Sequence, residues 1–183
     1  DHFRFLAQYV AAHRMKIEAD GGLRVWCAAC STGQEAYTLA AVLSRTLGPV
    51  AWASTKILAT DIDTDVLARA ERGRYPRSAL SEVPHEFRDV MFERAQDGEL
   101  KVRANLRRVL QFERVNLVRD TPSCHFDVIF CRNVLIYFDV PTRSSVIERM
   151  TRLLRPGGLL FLAHAEALLA LPLGFDHVLE PLP

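Results

Sequence analysis

Four short stretches of this 183-residue chain place reactive or ligand-binding side chains beside apolar runs. The first, RVWCAACSTGQEAYTLA (Arg24 to Ala40), holds Cys27-x-x-Cys30, Gly33 and Glu35. The second is KILAT followed by Asp61-Ile62-Asp63. The third is Asn116-Leu117. The fourth is FDVIFC followed by Arg132-Asn133-Val134-Leu135-Ile136-Tyr137-Phe138. A cysteine pair at this spacing can be half of a zinc site, a redox dithiol before a helix, or two packed thiols. A zinc site needs a second pair, and Cys124 and Cys131 are spaced wrongly for one. Cys27 also falls inside an apolar run, so packed thiols are favoured and no metal is expected. Gly33 can adopt dihedrals that other residues avoid, which lets a ligand approach the backbone of its loop. The loop has one glycine and is not G-x-G-x-x-G, so a pyrophosphate cradle and a nicotinamide dinucleotide are poorly supported. Asp61 stands where an acid accepts the two hydroxyls of a ribose. Its plainer role is a helix cap, and Asp63 with Thr64 is a second candidate for that role.

Such residues need elements to hold them. Residues 2–17 carry Phe5, Leu6, Tyr9, Val10 and Ile17 near helical spacing. Asp20-Gly21-Gly22 is a turn, and Leu23 to Ala28 reads as a buried strand. Glu35 to Leu47 reads as a helix ended by Gly48-Pro49. Lys56 to Thr60 is a second strand, 64–72 a helix, and Phe126 to Cys131 a further strand. Pro141 to Leu154 reads as a helix, with Pro141 in its first turn and Gly157-Gly158 as its stop. Leu159 to His164 is the last strand assigned. Strands alternate with helices, and their apolar runs are nearly continuous, as for strands covered on both faces. The pattern predicts a doubly wound α/β sheet. Residues 74–115 break the rhythm. A helical piece near 85–95 and two β-like runs, 99–104 and 108–114, predict a small inserted β-subdomain or flap.

In open sheets of this kind, ligands bind beyond the carboxyl ends of the strands, where all four chemical stretches fall. A ribose-binding acid without a pyrophosphate loop fits S-adenosylmethionine. That cofactor carries a ribose but no phosphate, and its sulfonium and ammonium groups favour nearby carboxylates. The segments RVWCAACSTGQEAYTLA, ATDID, VNL, FDVIFCRNVLIYF and LLRPGGLLFLAHAE follow one another along nearly the whole chain. Together they resemble the CheR-type chemoreceptor methyltransferases, whose fold is a Rossmann-like methyltransferase sheet with a small inserted β-subdomain.

The resemblance implies that Glu35 and Asp61 contact S-adenosylmethionine, with Asp61 on the ribose. It implies that Asn116 and Leu117 lie beside the adenine, that Arg132 and Asn133 line the pocket, and that Tyr137 lies near the transferred methyl. The family has Glu-Glu-Pro where this chain has Gln34-Glu35-Ala36, and the carried-over acid is the second position. The implied reaction is attack of a receptor glutamate on the sulfonium methyl, giving a glutamyl methyl ester and S-adenosylhomocysteine. A carboxylate is already ionised near neutral pH, so alignment and exclusion of water matter more than a strong base. Positioning alone supplies on the order of 7–11 kcal/mol in well-oriented cases. Arg132 is then the candidate for orienting the carboxylate, and Tyr137 the candidate hydrogen-bond donor. The implied partner is the cytoplasmic domain of a methyl-accepting chemotaxis receptor. The implied family architecture also has an N-terminal helical domain and an N-x-T-x-F-F-R linker that reaches the cofactor. Neither is in this sequence, so the chain is expected to be a fragment with weakened cofactor binding. The turn in FERAQDGELKV is short, as in members that do not grip a receptor-tail peptide.

Plainer readings stand beside these. Arg132-Asn133 could be a solvated turn, Tyr137 core packing beside Phe138, and His164 a structural histidine rather than a general base. Arg103, Arg107, Arg108 and Arg114 could be a solvated face or a docking surface for an acidic receptor helix. A cofactor-binding scaffold without turnover and a small-molecule methyltransferase are the competing function classes. Composition narrows the field further. A formal net charge of +1 lacks the basic excess of a general nucleic-acid binder. Hydrophobic residues at 49% and charged residues at 25% are ordinary for a globular domain. No apolar run reaches the length of a membrane span, and no signal peptide is recognisable. Four cysteines in a chain with a good core suit a reducing cytoplasm, and a monomer is expected.

Overall fold

The computed structural model describes residues 2–83, 85–95, 98–163 and 166. Helices α1 (His2–Ala12) and α2 (Arg14–Ala19) precede strand β1 (Arg24–Ala28). Helices α3 (Gln34–Thr46) and α4 (Pro49–Ser54), strand β2 (Lys56–Asp61) and helix α5 (Thr64–Arg72) follow. Next come β3 (Arg74–Tyr75), a 3-10 turn (Arg77–Glu82), α6 (His85–Met91), β4 (Phe92–Arg94), β5 (Leu100–Val102) and α7 (Ala104–Arg107). The chain continues through β6 (Leu110–Arg114), β7 (Phe126–Cys131), a 3-10 turn (Leu135–Tyr137), α8 (Val140–Leu153) and β8 (Leu154–Leu162).

Five strands form one sheet in the order β6-β2-β1-β7-β8, and every pairing in it is parallel. Alternation along β1 shows how both faces are filled. Val25 and Cys27 enter a core with Leu6 and Val10 of α1 and Leu39 and Leu43 of α3. Trp26 and Ala28 enter a second core with Val146, Ile147 and Met150 of α8. Helices on both faces explain why the strands read as unbroken apolar runs. The doubly wound α/β expectation describes this sheet. Among the described residues, no helix is long and apolar enough to cross a membrane.

The helix ends follow local chemistry. The Asp63 carboxylate accepts from the N–H groups of Asp65 (2.7 Å) and Val66, capping α5, and Gly73 closes that helix at φ 59°. The Asp139 carboxylate accepts from Thr142 N–H at 3.0 Å and starts α8.

Three sequence expectations are corrected. The 2–17 helix is two helices, broken at His13, whose Nδ1 lies 2.8 Å from the Tyr9 carbonyl while its ring stacks on Tyr9. Gly157-Gly158 do not stop α8. That helix ends at Leu153, and both glycines fall in a bulge of β8, where the pairing steps from Leu154 to Leu159. The run 108–114 does not belong to the insertion. Its strand, β6, pairs in parallel with β2 at the edge of the main sheet. The inserted sheet is the antiparallel set β3-β5-β4. His164 and the FDHVLE segment lie outside the described residues.

Candidate functional site

The strand order reverses at β1. The chain adds β2 and β6 on one side of it, and β7 and β8 on the other. Loops leaving the carboxyl ends of β1 and β7 therefore depart in opposite directions, and a crevice opens between them. The sequence candidates gather around this point.

One wall is the β1–α3 loop with the end of β2. Ala29 (φ 56°) and Ser31 (φ 49°) sit in the left-handed region, which is uncommon for residues other than glycine. Gly33 follows at φ 92°, where an added Cβ would meet the Ala70 Cβ at 2.8 Å. This tight path turns the Ser31 N–H onto Asp61 Oδ2 at 2.8 Å, while the Asp63 N–H donates to Asp61 Oδ1 at 3.1 Å. The Cys30 N–H continues the link by donating to the Thr60 carbonyl at 2.8 Å. Each Asp61 oxygen thus has one acceptor direction used and one remaining. The helix-cap role falls to Asp63, which caps α5, and not to Asp61.

Asn116 joins this wall from β6. Val115 N–H donates to the Asp61 carbonyl at 3.0 Å. The Asn116 side chain is turned inward on its own loop, with Oδ1 accepting from Val118 N–H at 2.9 Å. Leu117 is buried, and its carbonyl accepts from Arg149 Nη1 at 3.1 Å.

The other wall is the segment after β7. Arg132 Nη1 donates to Glu35 Oε2 at 2.7 Å, a salt bridge from the end of β7 to the first turn of α3. That contact removes the solvated-turn reading of Arg132. The second Glu35 oxygen accepts from the Cys27 thiol at 3.6 Å. Burial holds the Glu35 carboxyl above its usual range, and the Arg132 guanidinium opposes the rise. Arg132 Nε is buried and has no hydrogen-bond partner among the described residues. An unpaired buried N–H of a guanidinium is costly, so a ligand acceptor fits there.

Asn133 takes φ 60°, and Tyr137 is 79% exposed on the following 3-10 turn. Tyr137 is therefore not core packing. Among the described residues, its hydroxyl makes no hydrogen bond to the other candidates. The cysteines behave as packing thiols. Cys27, Cys30 and Cys131 are buried and unbonded to one another. Burial pushes Cys30 up to about 12 and drives Cys27 and Cys131 upward as well, so none is a reactive thiolate near neutral pH.

Three residues escaped the sequence reading. Ser31 supplies a backbone N–H, which no side-chain pattern signals. Tyr75 of the small sheet donates its hydroxyl to the Thr32 carbonyl at 2.6 Å and so ties that sheet to the β1–α3 loop. Glu166 is fully buried and accepts from the N–H groups of Asn133, Val134, Leu135 and Ala163. An acid beside the last apolar strand was the only available signal for Glu166. Of the arginines weighed as a docking face, Arg103 and Arg107 bond backbone carbonyls of Asp89 and Glu71. A separate cavity of about 620 Å³ lies between the loop and the small sheet, and Thr32, Gln34, Arg69, Arg72 and Arg74 help line it.

A five-stranded parallel sheet covered on both faces, with its strand order reversing at β1, defines a doubly wound α/β domain. The chain matches the family described as CheR methyltransferase, SAM binding domain over residues 1–180, and it belongs to that family. It is 41% identical over 174 residues to chemotaxis protein methyltransferase 2 of Pseudomonas aeruginosa PAO1, covering 90% of this chain and 59% of that protein. It is 40% identical over 168 residues to the chemotaxis protein methyltransferase of Escherichia coli K12, covering 85% of this chain and 58% of that one. The chain thus spans about three fifths of the length of the curated relatives it matches. Its cofactor is S-adenosylmethionine, as the family description states.

Proposed function

We propose that this chain is the cofactor-binding domain of a protein-glutamate O-methyltransferase that acts on the cytoplasmic domain of chemotaxis receptors. The observation that carries the reading is that Asp61, held by the Ser31 N–H, and the Glu35–Arg132 bridge both lie beyond the carboxyl ends of neighbouring strands where the strand order reverses. The curated relatives, named as chemotaxis protein methyltransferases, support it.

In this reading Asp61 accepts the ribose hydroxyls with the acceptor directions left over by Ser31 and Asp63. Glu35 adds negative charge near the sulfonium and ammonium groups. Asn116 and Leu117 flank the adenine, and Arg132 Nε and Asn133 complete the pocket. The cofactor supplies an electrophilic methyl on a sulfonium. The protein's own task is to align a substrate carboxylate and strip its water, because that nucleophile is already ionised. Exposed Tyr137 offers a hydroxyl donor to an incoming carboxylate, and Arg132 offers positive charge. The cavity beside the β1–α3 loop, lined by Arg69, Arg72 and the Arg74–Glu99 ion pair, is polar and carries net positive charge, which supports an acidic protein substrate over a small apolar one.

The test is transfer of labelled methyl to receptor by the protein as its gene encodes it. The label should reach glutamate and be released as methanol by mild base, as methyl esters are. Label that resists base, or none transferred, would contradict the ester chemistry.

A further inference from the structure

We infer that Glu166 is a positioning residue that sets the shape of the Arg132–Tyr137 segment and, through it, cofactor affinity. The inference rests on reading Arg132 and Asn133 as part of the cofactor pocket. Three consecutive N–H groups, from Asn133, Val134 and Leu135, converge on the Glu166 carboxylate at 3.0, 3.0 and 2.9 Å. The Ala163 N–H adds a fourth contact at 2.9 Å. Oε1 takes Val134 and Leu135, and Oε2 takes Asn133 and Ala163, so each oxygen has two donors.

Three successive N–H groups can face one point only if the chain curls around it. Asn133, at φ 60°, provides that curl. Without an anion at its centre the curl would bury N–H groups with no acceptor. Glu166 is 0% exposed, and among the described residues every hydrogen bond its side chain makes is to backbone. Its partners are the segment that leaves β7 and the residue that follows β8. These adjacent strands are thereby clamped just beyond their carboxyl ends, at the crevice wall. Its charge also lies close enough to Glu35 to disfavour that carboxylate, which places it near the Glu35–Arg132 pair. A carboxylate is the only side chain that accepts four N–H bonds while donating none.

Glu166→Gln tests this, because an amide is nearly the same shape but turns an NH₂ toward two of the four donors. Hydrogen exchange at the 133–135 amides and S-adenosylhomocysteine affinity are measured in the full chain, well below each variant's melting midpoint. In wild type these amides should exchange slowly before any ligand is added. In the variant they should exchange faster, and Kd should rise about tenfold or more, as expected for loss of charge-assisted bonds. Glu166→Asp keeps the carboxylate and should recover part of the affinity, and it serves as the test should the Gln variant not fold. Fast exchange in wild type, or unchanged exchange in the variant, overturns the clamp. Faster exchange with unchanged affinity overturns the link to the cofactor. A parallel Asp61→Ala titration then separates the two failures, since unchanged affinity there also would mean that the pocket itself lies elsewhere.

Discussion

The two walls of the crevice are held by opposite means. The Asp61 wall is local in space: Ser31, Cys30 and Asp63 sit at the ends of the paired strands β1 and β2, and only backbone N–H groups and strand-end acceptors hold it. The Arg132 wall is remote in a different sense. Its backbone is gathered by the side chain of Glu166, and its guanidinium is held by Glu35, which lies on α3 almost a hundred residues earlier. Local anchoring gives a ligand group fixed before any cofactor arrives. Remote anchoring makes one wall depend on the packing of several elements, which is where a site can be loosened without unfolding the domain.

That contrast can be broken most forcefully on the local side. Gly33→Ala puts a Cβ at φ 92° and 2.8 Å from Ala70. A left-handed alanine costs roughly 1–2 kcal/mol and overpacking roughly 1–3, so we expect a loss of about 2–4 kcal/mol in a denaturant melt. A loss below about 1 kcal/mol would show that the loop relaxes freely, and that the local wall is softer than its hydrogen bonds suggest.

Next in size is the bridge between the walls. Arg132→Ala leaves Glu35 partly buried and unpaired. Breaking a fully buried pair costs roughly 3–5 kcal/mol, but these side chains remain 29% and 21% exposed, so about 2 kcal/mol is expected. The effect has a defined pH dependence. Burial already raises the Glu35 carboxyl above its usual value of 4.5, and removing Arg132 raises it further. A raised folded value means that the folded state holds its proton more tightly, so ionisation destabilises it as pH rises through that range. The gap in melting temperature between variant and wild type should therefore widen from pH 4 toward pH 7. A gap that is constant with pH would mean that the loss is packing alone.

The smallest effect concerns the tie between the small sheet and the local wall. Tyr75→Phe removes the hydroxyl bond to the Thr32 carbonyl and should cost about 1 kcal/mol. Because Thr32 neighbours Ser31 and Gly33, exchange at the Ser31 amide should quicken while the 133–135 amides stay unchanged. Equal quickening at both would erase the distinction between the walls.

The sequence exposed these regions unequally for physical reasons. β7 was legible end to end, because a strand buried on both faces is a nearly continuous apolar run, broken here only by Asp127. β6 was misplaced, because LQFER is an edge strand whose alternating, half-exposed residues read like a free ribbon. Only its parallel partner β2 reveals where it belongs. Asp61 could be read from one rule about acids after the second strand. The Glu35–Arg132 pair came as two separate expectations, and nothing in the sequence says that they touch. Glu166 was out of reach, because its work is to gather backbone N–H groups, which every residue has. Gly157-Gly158 misled for a related reason: glycines after a helix usually mark its end, and here they permit a bulge in the next strand.

In the proposed function, Asp61 is the anchor for the nucleoside. Calorimetric titration of S-adenosylhomocysteine into wild type and Asp61→Ala, both shown to be folded, tests it most directly. Charge-assisted hydrogen bonds contribute roughly 1.5–3 kcal/mol each, so the variant should bind at least about tenfold more weakly. Equal affinity for the two proteins would contradict the assignment of this crevice as the cofactor site.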